Sequence, residues 1–178
     1  MIICCGEALI DMLPRKGADG ADVYQPFNGG SVFNTAIALA RLGVPTGFFA
    51  GLSNDFFGDG LLDGLKAAGV STKYVRRKDL HTTLALVKLT DGHARYSFID
   101  EGSAGRMLEK RDIPKLSKSF QALHFGSISL IPEPSGGTYE ALLKKASKSF
   151  VISLDPNIRP TLIKDKKLPI LQDVRDES

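Results

Sequence analysis

The sequence predicts an α/β protein built on a doubly wound, mostly parallel sheet that carries a β-ribbon insertion. Three observations support this prediction: short apolar runs that suit strands covered on both faces, apolar helical segments between them, and one hairpin pattern. The 178 residues are 43% hydrophobic and carry a net charge of +3, which is ordinary for a globular domain. Because this charge forms no basic footprint, no nucleic-acid partner is expected.

The first part of the chain alternates strands and helices. Met1 to Cys5 is an apolar run that Gly6 stops, and a helix follows Ser31 and is closed by Gly43. The next strand covers Gly47 to Ala50, and a second helix runs from about Gly58 to Ala68. The polar, glycine-rich stretch at residues 15–22 receives no strand or helix.

A hairpin interrupts this alternation. Thr82 to Thr90 and His93 to Ile99 flank Asp91-Gly92, which is a strong signal for a tight turn. Alternation then resumes with a strand, a helix and a strand. These three elements cover Ala122 to Phe125, about Gly137 to Lys148, and Phe150 to Leu154.

The sequence predicts neither a metal site nor a membrane-spanning segment. The only cysteines, Cys4 and Cys5, are neighbours in an apolar run and read as small buried hydrophobes. The three histidines are scattered without zinc-ligand spacing, so no metal site is predicted. No apolar run approaches the roughly 20 residues of a membrane span, and the N-terminus lacks the basic start of a signal peptide. We therefore expect a cytoplasmic protein with no membrane partner.

Polar residues at strand ends are the first candidates for a binding site, because ligands of doubly wound sheets gather there. Asp11 closes an apolar stretch and suits hydroxyl groups of a polyol, although the spacing alone favours a turn or helix-cap aspartate. Gly29 and Gly30 let the backbone approach a ligand, and Asn34 adds an amide that both donates and accepts. An ordinary loop before a helix is the alternative for this second segment.

The third candidate follows the last predicted strand. Asp155, Asn157 and Arg159 bring a carboxylate, an amide and a guanidinium to one strand end, where Arg159 can clamp phosphate or substrate oxygens. A salt-bridged turn is the alternative. Neither a P-loop motif nor a G-x-S-x-G elbow occurs, and residues 58–64 lack the third glycine of a dinucleotide fingerprint.

Four segments in the correct order resemble the ribokinase-like (pfkB) carbohydrate kinases, with the fructokinase branch nearest. They are Gly6-Glu7-Ala8-Leu9-Ile10-Asp11, the Gly29-Gly30 pair with Asn34, the stretch at residues 51–58, and Asp155-Pro156-Asn157-Ile158-Arg159-Pro160. The resemblance implies a ribokinase-like fold with a β-sheet lid at about residues 82–99. It also implies ATP-dependent phosphorylation of a sugar hydroxyl with Mg²⁺, and fructose is the leading sugar.

The resemblance further assigns roles to the candidate residues. Asp11, Gly29, Gly30 and Asn34 match sugar-binding positions, and Arg159 matches a substrate-binding one. Asp155 and Asn157 match the segment near the phosphates and metal. Tyr96 or Phe98 would lie near the ligand, and each is equally plausible as lid core. The lid could also pair two subunits into a homodimer.

One part of the family pattern has no counterpart in these 178 residues. The family's G-A-G-D segment carries the catalytic aspartate and the anion hole, and no such segment occurs here. Residues 1–164 therefore resemble the N-terminal part of the kinase domain, and residues 165–178 form a divergent tail. No catalytic residue is assigned, and we expect no sugar phosphorylation by this chain alone. A non-catalytic sugar-binding remnant and a nonfunctional fragment remain alternatives.

Overall fold

The computed structural model describes residues 1–90 and 93–157. The elements are β1 Ile2–Cys5, β2 Leu9–Lys16, β3 Asp22–Gly29, α1 Ser31–Arg41, β4 Thr46–Phe49, β5 Gly51–Ser53, α2 Phe56–Ala67, β6 Arg76–Lys78, β7 Leu84–Thr90, β8 His93–Ile99, β9 Ala122–Gly126, α3 Ser135–Ala146 and β10 Val151–Asp155. Two short 3₁₀ helices, Lys110–Asp112 and Ser127–Leu130, complete the set. Arg159, the Asp91-Gly92 turn and residues 165–178 lie outside the described residues.

The main sheet is parallel, with the strand order β10-β9-β1-β4. Alternate residues of β1 enter two different cores, because Ile3 and Cys5 pack on the side of α3 whereas Cys4 packs on the side of α1 and α2. Helices thus cover both faces, which explains why the strand reads as a continuous apolar run. The doubly wound prediction is confirmed, and Cys4 and Cys5 are buried free thiols.

The second sheet has the order β3-β2-β7-β8 and stands apart from the main sheet. Its hairpin β7–β8 confirms the predicted ribbon, with Leu84 opposite Ile99 and Thr90 opposite His93. The hairpin β2–β3 was not predicted, because β3 is exposed along its length except at Gly29. A strand without a buried face leaves no alternating apolar pattern to detect.

The base of the lid hairpin is held by a hydrogen-bonded cluster that we call the hairpin base: Asp55, Thr82, Thr83, Asp100 and Ser103. The Asp55 carboxylate accepts hydrogen bonds from the Thr82 backbone N–H at 2.8 Å and from the Thr82 hydroxyl at 2.7 Å. The Thr83 hydroxyl donates to Asp100 at 2.8 Å and to Ser103 at 2.8 Å. The bonds of Asp55 attach the start of the hairpin to the N-terminus of α2, and those of Thr83 join the two ends of the hairpin.

The starts of two helices differ from the predicted ones for local reasons. Helix α2 begins at Phe56 because the Asp55 side chain accepts from the Gly58 N–H at 2.7 Å and caps the helix. Helix α3 begins at Ser135, directly after Pro134, which fits a proline at a helix start. Within the described ranges, no helix combines the length and the apolar character that a membrane crossing requires.

Candidate active site

A cavity of about 430 Å³ opens between the carboxyl ends of the main sheet and the lid sheet. We call it the main cavity. Strand ends of β1, β9 and β10, the start of α1, and residues of β2 and β8 meet around it. Its lining residues are Glu7, Leu9, Asp11, Gly30, Ser31, Asn34, Tyr96, Phe98, Ser127, Ile128 and Asn157. The location agrees with the expectation that ligands of such sheets bind beyond the carboxyl ends of the strands.

Asp11 provides the carboxylate of the main cavity. It lies in β2, opposite Phe27 of β3 and Ala85 of β7, so two neighbouring strands fix its position. Burial raises the pKa of its carboxyl group, and no hydrogen bond from a described residue offsets this effect. The carboxylate oxygens are therefore available to accept hydrogen bonds from a ligand.

The two adjacent glycines shape the floor of the cavity in different ways. Gly30 lines it, has a φ of 107°, and precedes α1, and a Cβ there would lie 2.8 Å from the carbonyl oxygen of Glu7. Gly29 is buried beneath it, and a Cβ at this position would overlap the carboxylate of Asp11. The pair thus permits both the left-handed turn and the inward orientation of Asp11.

The structure brings most of the other candidate residues to the same place. Asn34 lines the main cavity from the first turn of α1, and Asn157 lines it from beyond β10. Asp155 is not among the lining residues, because its carboxylate accepts the Asn157 backbone N–H at 2.9 Å in a local turn. Tyr96 and Phe98 both line the cavity, with their rings stacked at a centroid distance of 6.1 Å.

Sequence reasoning missed Glu7 and Ser127 as cavity residues. Glu7 is only 8% exposed, and burial raises the pKa of its carboxyl group. Ser127 follows β9 with a φ of 65°, which is unusual for a residue with a side chain. A single carboxylate inside a buried apolar stretch was the available signal for Glu7.

A second cavity of about 360 Å³ adjoins the main cavity. The two share Glu7, Phe98 and Ile128, so these residues form the boundary between them. Arg106 and Asp100 also line the second cavity, where the Arg106 Nε donates to the Glu133 carbonyl oxygen at 3.3 Å.

The described residues offer little for a metal ion. In the ranges 1–90 and 93–157, no three His, Cys, Asp or Glu side chains are grouped around one point. Asp155 is a single carboxylate near the strand ends. Such an arrangement fits Mg²⁺ only where nucleotide phosphates and water supply most of the ligands.

Comparison with known proteins agrees with this geometry. The model of the pfkB family of carbohydrate kinases matches residues 1–176. A fructokinase of Rhizobium leguminosarum bv. trifolii is 56% identical over 166 residues, which cover 93% of this chain and 51% of that protein. The chain therefore belongs to the pfkB family of carbohydrate kinases.

Solved fructokinases share the fold. The Xylella fastidiosa fructokinase with bound ATP is 31% identical with a TM-score of 0.85, and the match covers 96% of this chain and 56% of that one. The Vibrio cholerae fructokinase with fructose, ADP and a calcium ion is 29% identical with a TM-score of 0.78, and the match covers 92% and 52%. The chain spans about half the length of the relatives that it matches.

Proposed function

We propose that this chain forms the sugar-binding part of an ATP-dependent fructokinase. The observation that carries the proposal is the main cavity, where Asp11, Gly30 and Asn34 converge beneath the lid residues Tyr96 and Phe98. Membership of the carbohydrate kinase family supports the reaction class. The fructokinases among its relatives support fructose as the sugar.

The chemistry of the cavity suits a neutral polyol. The Asp11 carboxylate accepts hydrogen bonds from sugar hydroxyls, each contributing about 1.5–3 kcal/mol when the acceptor is charged. The Asn34 amide both donates and accepts, which matches the dual character of a hydroxyl group. Phe98 offers an apolar face that covers the sugar and excludes water. Together these groups hold a hydroxyl in place for phosphoryl transfer.

The nucleotide and metal belong to the same proposal. ATP is supported by the ATP-bound Xylella fastidiosa relative. Mg²⁺ would neutralise the transferring phosphates, with Asp155 and Asn157 near them, and Arg159 would contact substrate or phosphate oxygens. The catalytic base is assigned to no residue of this chain, because the G-A-G-D segment that supplies it in the resemblance does not occur in the sequence.

Two measurements, one of fructose binding and one of kinase activity, test the proposal. Isothermal titration of the 178-residue chain with fructose should show binding, and a coupled ADP-release assay with ATP and Mg²⁺ should show no useful turnover. A chimera that joins this chain to the part of the Rhizobium leguminosarum fructokinase that it does not cover should restore turnover, in the usual kinase range of about 1–100 s⁻¹.

The outcomes separate the alternatives. Absence of fructose binding by the folded chain would contradict the proposal and favour a nonfunctional fragment. Binding together with an inactive, folded chimera would favour a non-catalytic sugar-binding remnant. Turnover by the unfused chain near 1 s⁻¹ would show that the catalytic base lies within these residues.

A homodimer through the lid is a second part of the proposal. Several large apolar side chains on β3 and β8 are exposed, among them Tyr24, Phe27 and Ile99. Exposed apolar surface on a sheet favours pairing with a second copy. Sedimentation equilibrium should show a dimer that Tyr24→Glu converts to a monomer. A monomer at all concentrations would contradict the proposed homodimer.

The cytoplasmic location stays a prediction from the sequence.

A further inference from the structure

Glu7 lies at the boundary between the two cavities, directly beyond β1. The residue lines both the main cavity and the second cavity, although it is only 8% exposed. A buried carboxyl group is costly unless its oxygens are hydrogen-bonded. The partners of its two oxygens therefore indicate what this position does.

One oxygen of Glu7 has a structural role. Oε1 accepts the backbone N–H of Ser31 at 2.8 Å and that of Val32 at 3.4 Å. These groups are the first two amides of α1, which need acceptors because no preceding helical turn supplies them. The carboxyl group of Glu7 thus caps an 11-residue helix from a distant segment of the chain.

The other oxygen has no such partner. Oε2 is buried and accepts no hydrogen bond from the part of the chain that the structure describes. The pKa of the carboxyl group is raised by burial, and the nearby Ser127 hydroxyl opposes this rise only in part, without a hydrogen bond to Oε2. A buried polar atom of a cavity-lining residue that lacks a partner among the described residues calls for an explanation, and a ligand atom in the adjoining cavity supplies one.

We propose that a hydroxyl group of the bound sugar hydrogen-bonds to Oε2 of Glu7, which makes Glu7 a substrate-binding residue in addition to Asp11 and Asn34. The inference rests on the proposed function, since it names a further contact of the same sugar. A hydroxyl group both donates and accepts, so it pairs with the carboxyl group whether or not that group carries a proton. An anionic ligand group lacks this match and is disfavoured beside the carboxyl group.

Monodeoxy analogues of fructose test the contact. Titration of the unaltered chain gives the loss of affinity that accompanies removal of each hydroxyl. In Glu7→Ala, one of these losses should disappear while the others persist, because the hydroxyl that bonds Oε2 no longer has a partner. For a hydrogen bond of ordinary strength, the affected loss is roughly 3- to 10-fold. A purely structural role would leave the whole pattern of losses unchanged.

Two further variants complete the design. Glu7→Gln keeps an oxygen for the helix cap and places an amide NH₂ at the Oε2 position, so it should restore both the affinity and the selective loss. Glu140→Gln serves as the control, because Glu140 lies on α3 and pairs with Lys144. An identical pattern of losses in the unaltered chain and in Glu7→Ala overturns the inference.

A measurement on the unaltered chain covers the case in which Glu7→Ala does not fold. The sequence holds six glutamates, so ¹³C labelling of the glutamate δ-carbon gives few signals, and Glu7→Gln identifies the one from Glu7. Saturating fructose should shift this signal, and an unchanged signal overturns the inference. If the unaltered chain does not bind fructose at all, the proposed function itself fails, which is a different result.

Discussion

Two aspartates show how differently this chain uses the same side chain. Asp11 lines the main cavity, and burial raises the pKa of its carboxyl group without an offsetting hydrogen bond from a described residue. Asp55 lies in the hairpin base. Burial alone would raise its pKa, but hydrogen bonds from the Gly58 N–H and from the hydroxyl and N–H of Thr82 hold it below its ordinary value.

The difference separates a carboxyl group without hydrogen bonds from described residues, which we propose binds the sugar, from one that stabilises the fold. The Asp55 carboxylate has its hydrogen bonds within the protein, and removing it leaves a helix N-terminus and a threonine without a partner. Under the proposed function, the Asp11 carboxylate makes its hydrogen bonds to the sugar. Substitution of Asp11 should therefore affect binding, whereas substitution of Asp55 should affect stability.

The largest expected effect is on sugar affinity. Asp11→Ala should weaken fructose binding by about 1.5–3 kcal/mol for each lost charge-assisted hydrogen bond, which is roughly a 10- to 100-fold rise in Kd. Isothermal titration measures the change, and urea unfolding should show little loss of stability. An unchanged Kd would mean that Asp11 does not contact the sugar.

A glycine substitution tests the orientation of Asp11 without removing it. In Gly29→Ala, the new methyl group overlaps the Asp11 carboxylate, and overpacking of this kind costs about 1–3 kcal/mol. Both stability and fructose affinity should fall. The control is Gly60→Ala on α2, where a Cβ meets only Asn28 at 3.8 Å, and this variant should leave affinity unchanged. Equal affinities in the two variants would contradict the argument.

The Asp55 variant should show the opposite division between stability and binding. Asp55→Ala removes the cap of α2 and should lower the free energy of unfolding by about 1–2 kcal/mol at pH 7. Because the folded pKa of Asp55 is depressed, its contribution is complete above the unfolded value of about 3.9 and is lost as the pH falls through the folded value.

Urea unfolding at a series of pH values measures this effect. The difference in stability between the unaltered chain and Asp55→Ala should shrink below about pH 4. A difference that stays constant down to pH 2 would show that the Asp55 charge is not responsible for it.

The smallest expected effect concerns the lid. Phe98→Ala should weaken fructose binding by about 0.5–1.5 kcal/mol, because an aromatic face that covers the sugar is lost. Phe56→Ala on α2 is the control, since Phe56 is an exposed aromatic residue outside the lid that does not line the main cavity. If both variants bind fructose equally, Phe98 belongs to the lid structure and not to the site.

The sequence predicted β1 of the main sheet clearly because this strand is covered on both faces. Ile3 and Cys4 point to opposite cores, so every residue of the strand is apolar and the pattern is unmistakable. The hairpin β2–β3 escaped prediction for the opposite reason, because β3 has almost no buried face. A strand is therefore easier to predict from the sequence when its faces are buried, because burial requires apolar residues in a regular pattern.

The site was predictable only in part. Asp11, Gly30 and Asn34 stood out as polar or glycine residues beside apolar runs, and the structure places them around one cavity. Glu7 did not stand out as a site residue. Its role depends on the start of α1, 24 residues further along the chain, which provides hydrogen-bond partners for only one of its carboxyl oxygens. The contact is a product of the tertiary fold, so the sequence shows a carboxylate inside an apolar stretch but not the partners of that carboxylate.

Amide chemical shifts in the ¹⁵N-labelled chain locate bound fructose most directly. Saturating fructose should perturb the amides of Asp11, Gly30 and Asn34 and leave those of Asp55 and Thr82 unchanged. Perturbation concentrated at the hairpin base, or binding of fructose without any shift at Asp11 and Gly30, would contradict the proposed sugar site.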